Sequence, residues 1–236
     1  MRRLPRLAVL LFLALPGTVA AQQTCEALLG PPEIRVTAVT AVQPTFSVRA
    51  SAAIAQSANG STKALHANQS SRAFLGLTRA SLQVSTRIVM REMPLANGQV
   101  CASPIFEIKL SFNALEVSTA RELEVDRCSS DYVLSHEMMH VQFHKEALVK
   151  AAMALQSDLE DEFPPTFRFI EHAGDMRYRK ERLAGATAGR AHYLFKKFDT
   201  AHTRIDNHVE YSRGHIVCNG VIPRLVNVTT ATTQAL

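Results

Sequence analysis

Apolar positions recur with two different periods along this chain, and the change from one to the other divides it. Up to about residue 120 the period is two, the mark of half-buried strands. Residues 33–42 alternate weakly through Ile34, Val36, Val39 and Val42, and residues 81–90 more clearly through Leu82, Val84, Thr86, Ile88 and Met90. The best strand is 105–112, where Glu107, Lys109 and Ser111 alternate with apolar neighbours, and 115–120 is expected to return beside it as an antiparallel partner. Pro94 with Asn97-Gly98 marks a turn, and 50–71, rich in Ala, Ser and Asn, reads as a surface connection with room for a short helix.

Beyond residue 130 the spacing becomes helical. Ser129 or Ser130 offers an N-cap, Asp131 suits the first turn, and the helix from 131 to 159 is stopped by Pro164-Pro165. Its first part is apolar on several faces (Tyr132, Val133, Leu134, Met138, Met139, Val141, Phe143), which predicts a helix in the middle of a domain. Residues 166–170 suit an extended segment, and 177–182 a charged, solvated run. Residues 191–211 suit a second helix carrying Tyr193, Leu194, Phe198, Ala201, Ile205 and Val209. The predicted class is therefore α+β: an N-terminal antiparallel sheet, a central helix and C-terminal helices, in one domain over 22–226 with a polar tail at 227–236.

Composition changes this picture at the N-terminus. Arg2, Arg3 and Arg6, an apolar run over 7–15 and Val19-Ala20-Ala21 match a secretory signal peptide over residues 1–21. Removing its three arginines from 26 basic residues leaves 23 against 21 acidic ones, a formal charge of +2. The basic balance thus belongs largely to the leader, and with no basic stripe interleaved with aromatics, nucleic-acid binding is not expected. Export to a secreted or periplasmic location, with no stable membrane anchor after cleavage, is the expectation. Cys25, Cys101, Cys128 and Cys218 then suit two disulfides, with three possible connectivities. The preferred pairing is Cys25–Cys101 and Cys128–Cys218. Asn59, Asn68 and Asn227 stand in glycosylation sequons that matter only in a eukaryotic secretory route.

The candidate chemistry is His136-Glu137-Met138-Met139-His140. On a helix the two histidines lie about 40° apart and about 6 Å along the axis, so both imidazoles can reach one ion with Glu137 beside it. The H-E-x-x-H pattern resembles the zincin family of zinc metallopeptidases. A looser similarity extends to exported bacterial proteins of that type. It is carried by Cys101, the 105–112 strand, Cys128 with Val133-Leu134-Ser135-His136-Glu137, and then Asp206, Glu210-Tyr211 and Cys218. His144 is a poor third ligand, since on a continuous helix it lies about 12 Å along the axis from His136. The gluzincin branch takes its third ligand from a Glu on a later helix, which implies Glu210. Asp206, at i−4 on the same face, His208, and more remotely Glu160, Glu162, Glu171, His172 and His192 stay open. Asp206 and Glu210 also suit an exposed face paired with Arg204 or Arg213.

The resemblance implies a zinc cofactor held by His136, His140 and Glu210, and hydrolysis of peptide bonds with Glu137 as general base. Tyr211, His208 or Tyr193 would be the oxyanion donor. The 105–112 strand or its hairpin partner would offer an edge to an extended peptide, or serve as ordinary core. The substrate would be a peptide or a cell-envelope component. The rival is a non-catalytic exported zinc-binding or envelope interaction protein; accidental core histidines are the third reading.

Overall fold

The computed structural model describes residues 25–59, 75–95, 98–200, 205–206 and 208–224. The expected leader, the polar tail, Asn68, Asn227 and most of the 50–71 connection lie outside these residues. The strands are β1 (Glu33–Ala38), β2 (Thr45–Arg49), β3 (Gly76–Pro94), β4 (Gln99–Ala120) and β5 (Phe169–His172). The α-helices are α1 (Ser51–Asn59), α2 (Arg127–Glu162), α3 (Met176–Phe198) and α4 (His208–Ile216).

β4 is the axis of one mixed sheet. β3 pairs antiparallel along one of its edges, from Gly76 opposite Thr119 to Pro94 opposite Val100. On the other edge β5 pairs antiparallel, while β1 and β2 follow in line and run parallel to β4. The expected sheet was antiparallel throughout. Alternation reports which residues face the core but not strand direction, and the two N-terminal strands take the parallel sense. Flanked on both edges, β4 offers no free edge to a peptide over 105–110.

The expected second strand at 115–120 is the continuation of β4 rather than its partner. Opposite Leu82 and Ser81 stand Phe112 and Ala114, so Asn113 is an extra residue in β4. That bulge moves the buried face from even positions (Phe106, Ile108, Leu110, Phe112) to odd ones (Leu115, Val117). In the sequence, the phase change imitates a break between two strands. Gly98, at φ +71°, lies in the connection between β3 and β4, where an L side chain would be strained; Asn97 lies outside the described residues.

α2 starts earlier than predicted. Asp126 is its N-cap and its carboxylate accepts the Ser129 backbone N–H at 2.9 Å and the Ser129 hydroxyl. Ser129 is therefore inside the first turn, buried. The helix also buries one stripe rather than several faces, and Met138 and Met139 stay 37% and 41% exposed. Along that stripe Val141, Ala147, Leu148, Ala151, Ala152, Leu155 and Leu159 meet the even-numbered face of β4. Ala191, Leu194 and Phe195 of α3 close the same core. The Arg, Lys and Glu side chains of 177–182 suit a helix, and this anchoring carries α3 past Gly185 and Gly189, where helix propensity is poor. The predicted helix at 191–211 is not one α-helix: α3 ends at Phe198, with Asp199 as C-cap, and α4 begins at His208.

Both disulfides follow the preferred pairing. Cys25–Cys101 ties the first described residue to β4, and Cys128–Cys218 joins the first turn of α2 to the segment after α4. No described helix is long and apolar enough to cross a membrane. Asp126→Ala removes the cap of α2 and is expected to cost about 1 kcal/mol, read from urea unfolding; an unchanged midpoint would show that Cys128–Cys218 alone fixes the start of the helix.

Candidate metal centre

Beyond Ser129 of the first turn, the buried stripe of α2 is polar at three positions. Between Val133 and Ala147 it carries Glu137, His140 and His144, exposed by only 5%, 7% and 7%. A buried polar group without a partner costs roughly 1–3 kcal/mol, so each must be answered from another element.

His136 and His140 are answered by Asp206. His136 Nε2 and His140 Nε2 each lie 3.1 Å from Asp206 Oδ1, and 3.3 Å from one another. Donors held about 2.0–2.1 Å from one tetrahedral ion stand about 3.3–3.4 Å apart, so this triangle has the right size for three vertices of such a site. Among the described residues these three form the only group of His, Cys, Asp or Glu placed to share an ion. Asp206 sits in the turn before α4, next to the buried Ile205.

Glu210 does not join the triangle. One helical turn beyond Asp206, its carboxylate meets the Arg213 guanidinium at 2.9 Å and lies 3.4 Å from the Tyr132 hydroxyl, which donates to it. Spacing placed Asp206 and Glu210 on one face. The chain direction leaving Ile205 decides which carboxylate comes to the histidines, and it is Asp206. Burial, then the Glu210 charge and hydrogen bond, push the Tyr132 phenol up. Of the other predicted residues, Tyr193 is exposed on α3, and the side chains of His208 and Tyr211 lie outside the described residues.

Without an ion, the two imidazoles act as N–H donors to one carboxylate oxygen. The hydrogen bond to Asp206 is the largest cause that pushes His136 up from its ordinary value, against burial and with help from nearby carboxylates. Burial of Asp206 works to raise its pKa, but the hydrogen bonds and charge of both histidines outweigh it and hold the carboxyl well below the usual range.

Glu137 points under β3. Its carboxylate accepts the Thr78 hydroxyl at 2.7 Å, and the same hydroxyl lies 3.0 Å from the Glu137 backbone oxygen. Burial is the main cause that raises the Glu137 pKa, opposed by Thr78 and the two histidines. Gly76 makes the slot: a Cβ there would stand 2.3 Å from Glu137 Oε1 and 2.7 Å from its Cδ. His144, finally, places Nδ1 2.7 Å from Asp199 Oδ1, and its ring meets Phe112 edge-on. Gly76, Thr78 and Asp199 carry no signal near the motif in sequence. Each is at least 55 residues away and reaches it only through the fold.

No family model, curated protein or solved structure matches the chain.

Gly76→Ala forces the Glu137 carboxylate out of its slot and should destabilise the fold by about 1–3 kcal/mol in urea unfolding. In a Glu137→Ala background most of that cost should vanish; a cost that persists would place the clash elsewhere. The cluster also predicts a pH dependence for the metal-free protein. The depressed Asp206 contributes stability above its ordinary pKa of about 3.9, lost as pH falls through the lower folded value. The raised His136 contributes fully below about 6.5, and that is lost as pH rises through its folded value. Glu137, also raised, acts in the same sense as His136. The metal-free protein should therefore unfold at lower urea at about pH 8.5 than at about pH 5.5, with a smaller difference in His136→Ala. An unchanged difference in that variant would take the dependence away from this cluster.

Proposed function

We propose that this chain is an exported zinc-dependent peptidase of zincin-like type. His136, His140 and Asp206 hold the metal and Glu137 is the general base. The observation that carries the reading is the triangle of two Nε2 atoms and one carboxylate oxygen with 3.1–3.3 Å sides, built on an H-E-x-x-H helix. A His-His-Asp donor set is suited to zinc, and three protein ligands leave a fourth position for water or substrate. It departs from the His-His-Glu set that Glu210 would have supplied. Two disulfides suit an oxidising compartment, which supports export after loss of residues 1–21.

When bound, zinc at such a site supplies Lewis acidity and brings the pKa of coordinated water to about 7. The rest of the chemistry falls to the chain. In the metal-free protein Asp206 holds both imidazoles in place by its hydrogen bonds, and as a ligand it would give the site one negative charge. Glu137 takes a proton from the attacking water at its carboxylate and returns it to the leaving amine. Burial makes this carboxylate a stronger base than a free one, and Thr78 holds it in one rotamer. The substrate is a peptide or a cell-envelope component with an amide bond.

One observation favours a zinc-binding protein without turnover: Glu137 is only 5% exposed and closed over by Gly76 and Thr78. Two measurements separate the readings. The purified protein should carry about one zinc per chain, lost in His140→Ala and Asp206→Ala and kept in Glu210→Ala. Glu137→Gln should keep the zinc and lower cleavage of a peptide library by at least about 100-fold. A parent that stays metal-free after reconstitution would sink the metal site. Full cleavage by Glu137→Gln would remove Glu137 as base, and zinc binding with no cleavage by the parent would leave the binding protein.

A further inference from the structure

His136, His140 and His144 follow one another at i, i+4 and i+8, so their rings form a row about 12 Å long, turning about 40° at each step. Two carboxylates from a single downstream stretch meet that row. Asp206 lies against the first two rings, and Asp199, seven positions earlier in the chain, lies against the third. The order along the chain is reversed relative to α2: the earlier carboxylate meets the last ring and the later one the first two. Asp199 is also the C-cap of α3, whose Leu194 and Phe195 are buried in the main core.

We propose that the His144–Asp199 pair is a positioning peg for the third ligand: by fixing Asp199 against α2, it sets where along the histidine row Asp206, seven positions later, arrives over His136 and His140. The inference rests on the metal reading above. Seven residues of chain can span up to about 24 Å, whereas the two contacts lie within a row about 12 Å long. Chain length upstream is thus compatible with many positions of Asp206 along the helix. A second contact on the same row narrows them from that side, as buried Ile205 and Cys128–Cys218 do from the other. Stability gives no comparable reason for the pair. A largely buried pair of ionisable groups is often no better than an apolar pair of the same volume, and its best-attested use is fixing register. His144 lies beside the Phe112 ring, where an apolar side chain would pack without any partner.

The carboxylate can only accept, so Nδ1 of His144 carries the proton. Asp199→Asn keeps an oxygen in the same place to accept that proton, whereas Asp199→Ala removes the peg. His144→Leu fills the space beside Phe112 without Nδ1. The readout is the zinc dissociation constant of the oxidised full-length mature protein, measured by competition with a chromogenic chelator, together with circular dichroism of each metal-free variant.

Asp199→Ala and His144→Leu should each weaken zinc by about 10–100-fold, the usual effect of losing support behind a ligand, while Asp199→Asn stays close to the parent. The decisive comparison is in an Asp206→Ala background. Asp206→Ala no longer keeps zinc through purification, but His136 and His140 still bind added zinc weakly; the peg has no ligand left to place there, and adding Asp199→Ala should change that residual affinity by less than about twofold. A merely structural pair would weaken binding equally in both backgrounds, and that outcome overturns the proposal. So does unchanged affinity in whichever of Asp199→Ala and His144→Leu folds, with the metal site itself still standing. A parent that binds no zinc overturns the metal reading and the peg together, which distinguishes the two failures.

Discussion

One stripe of α2 must be buried against β4, and that stripe is interrupted by Glu137, His140 and His144. Each of those three interruptions is met by a partner from another segment. The sheet supplies Gly76 and Thr78 to close over the glutamate, and the chain after α3 supplies Asp206 and Asp199 to meet the histidines. An apolar stripe would pack against the same strand with none of these partners. The polar positions therefore carry the specification of where three distant segments dock, at a desolvation cost that only well-placed partners offset.

The C-terminal part of the site is held by constraints of different kinds. Cys128–Cys218 fastens α4 covalently to the first turn of α2, and Tyr132, four residues later, meets Glu210. Ile205 is buried beside Asp206, and Asp199 closes the row at its far end. These contacts bracket Asp206 on both sides in sequence and hold it over the histidines.

Strand and helix content was readable where one period persisted, and misread where a local feature broke it. The bulge at Asn113 shifted the buried face of β4 by one residue, so a single strand looked like two. Gly185 and Gly189 looked like punctuation, yet α3 continues through both because the opposite side of the helix is buried in the core. Met138 and Met139 suggested a helix buried on all sides, but the sheet covers only one stripe and both methionines remain accessible. Each difference has the same origin: periodicity records which side of an element is apolar, and packing decides how much of it is covered.

The sequence by itself determined the local part of the site. Helical geometry alone puts His136 and His140 on one face with Glu137 beside them, and excludes His144 from sharing an ion with His136. It also set the order of elements and offered the disulfide pairing found. Tertiary structure decided what those side chains meet. Asp206 and Glu210 share a helix-spaced face and the same charge, so nothing local ranks them. The path of the chain past Ile205 brings the first to the histidines and leaves the second to Tyr132 and Arg213. Gly76, Thr78 and Asp199 likewise acquire their roles only when separate segments close on α2, because a contact across 55 or more residues leaves no spacing to read.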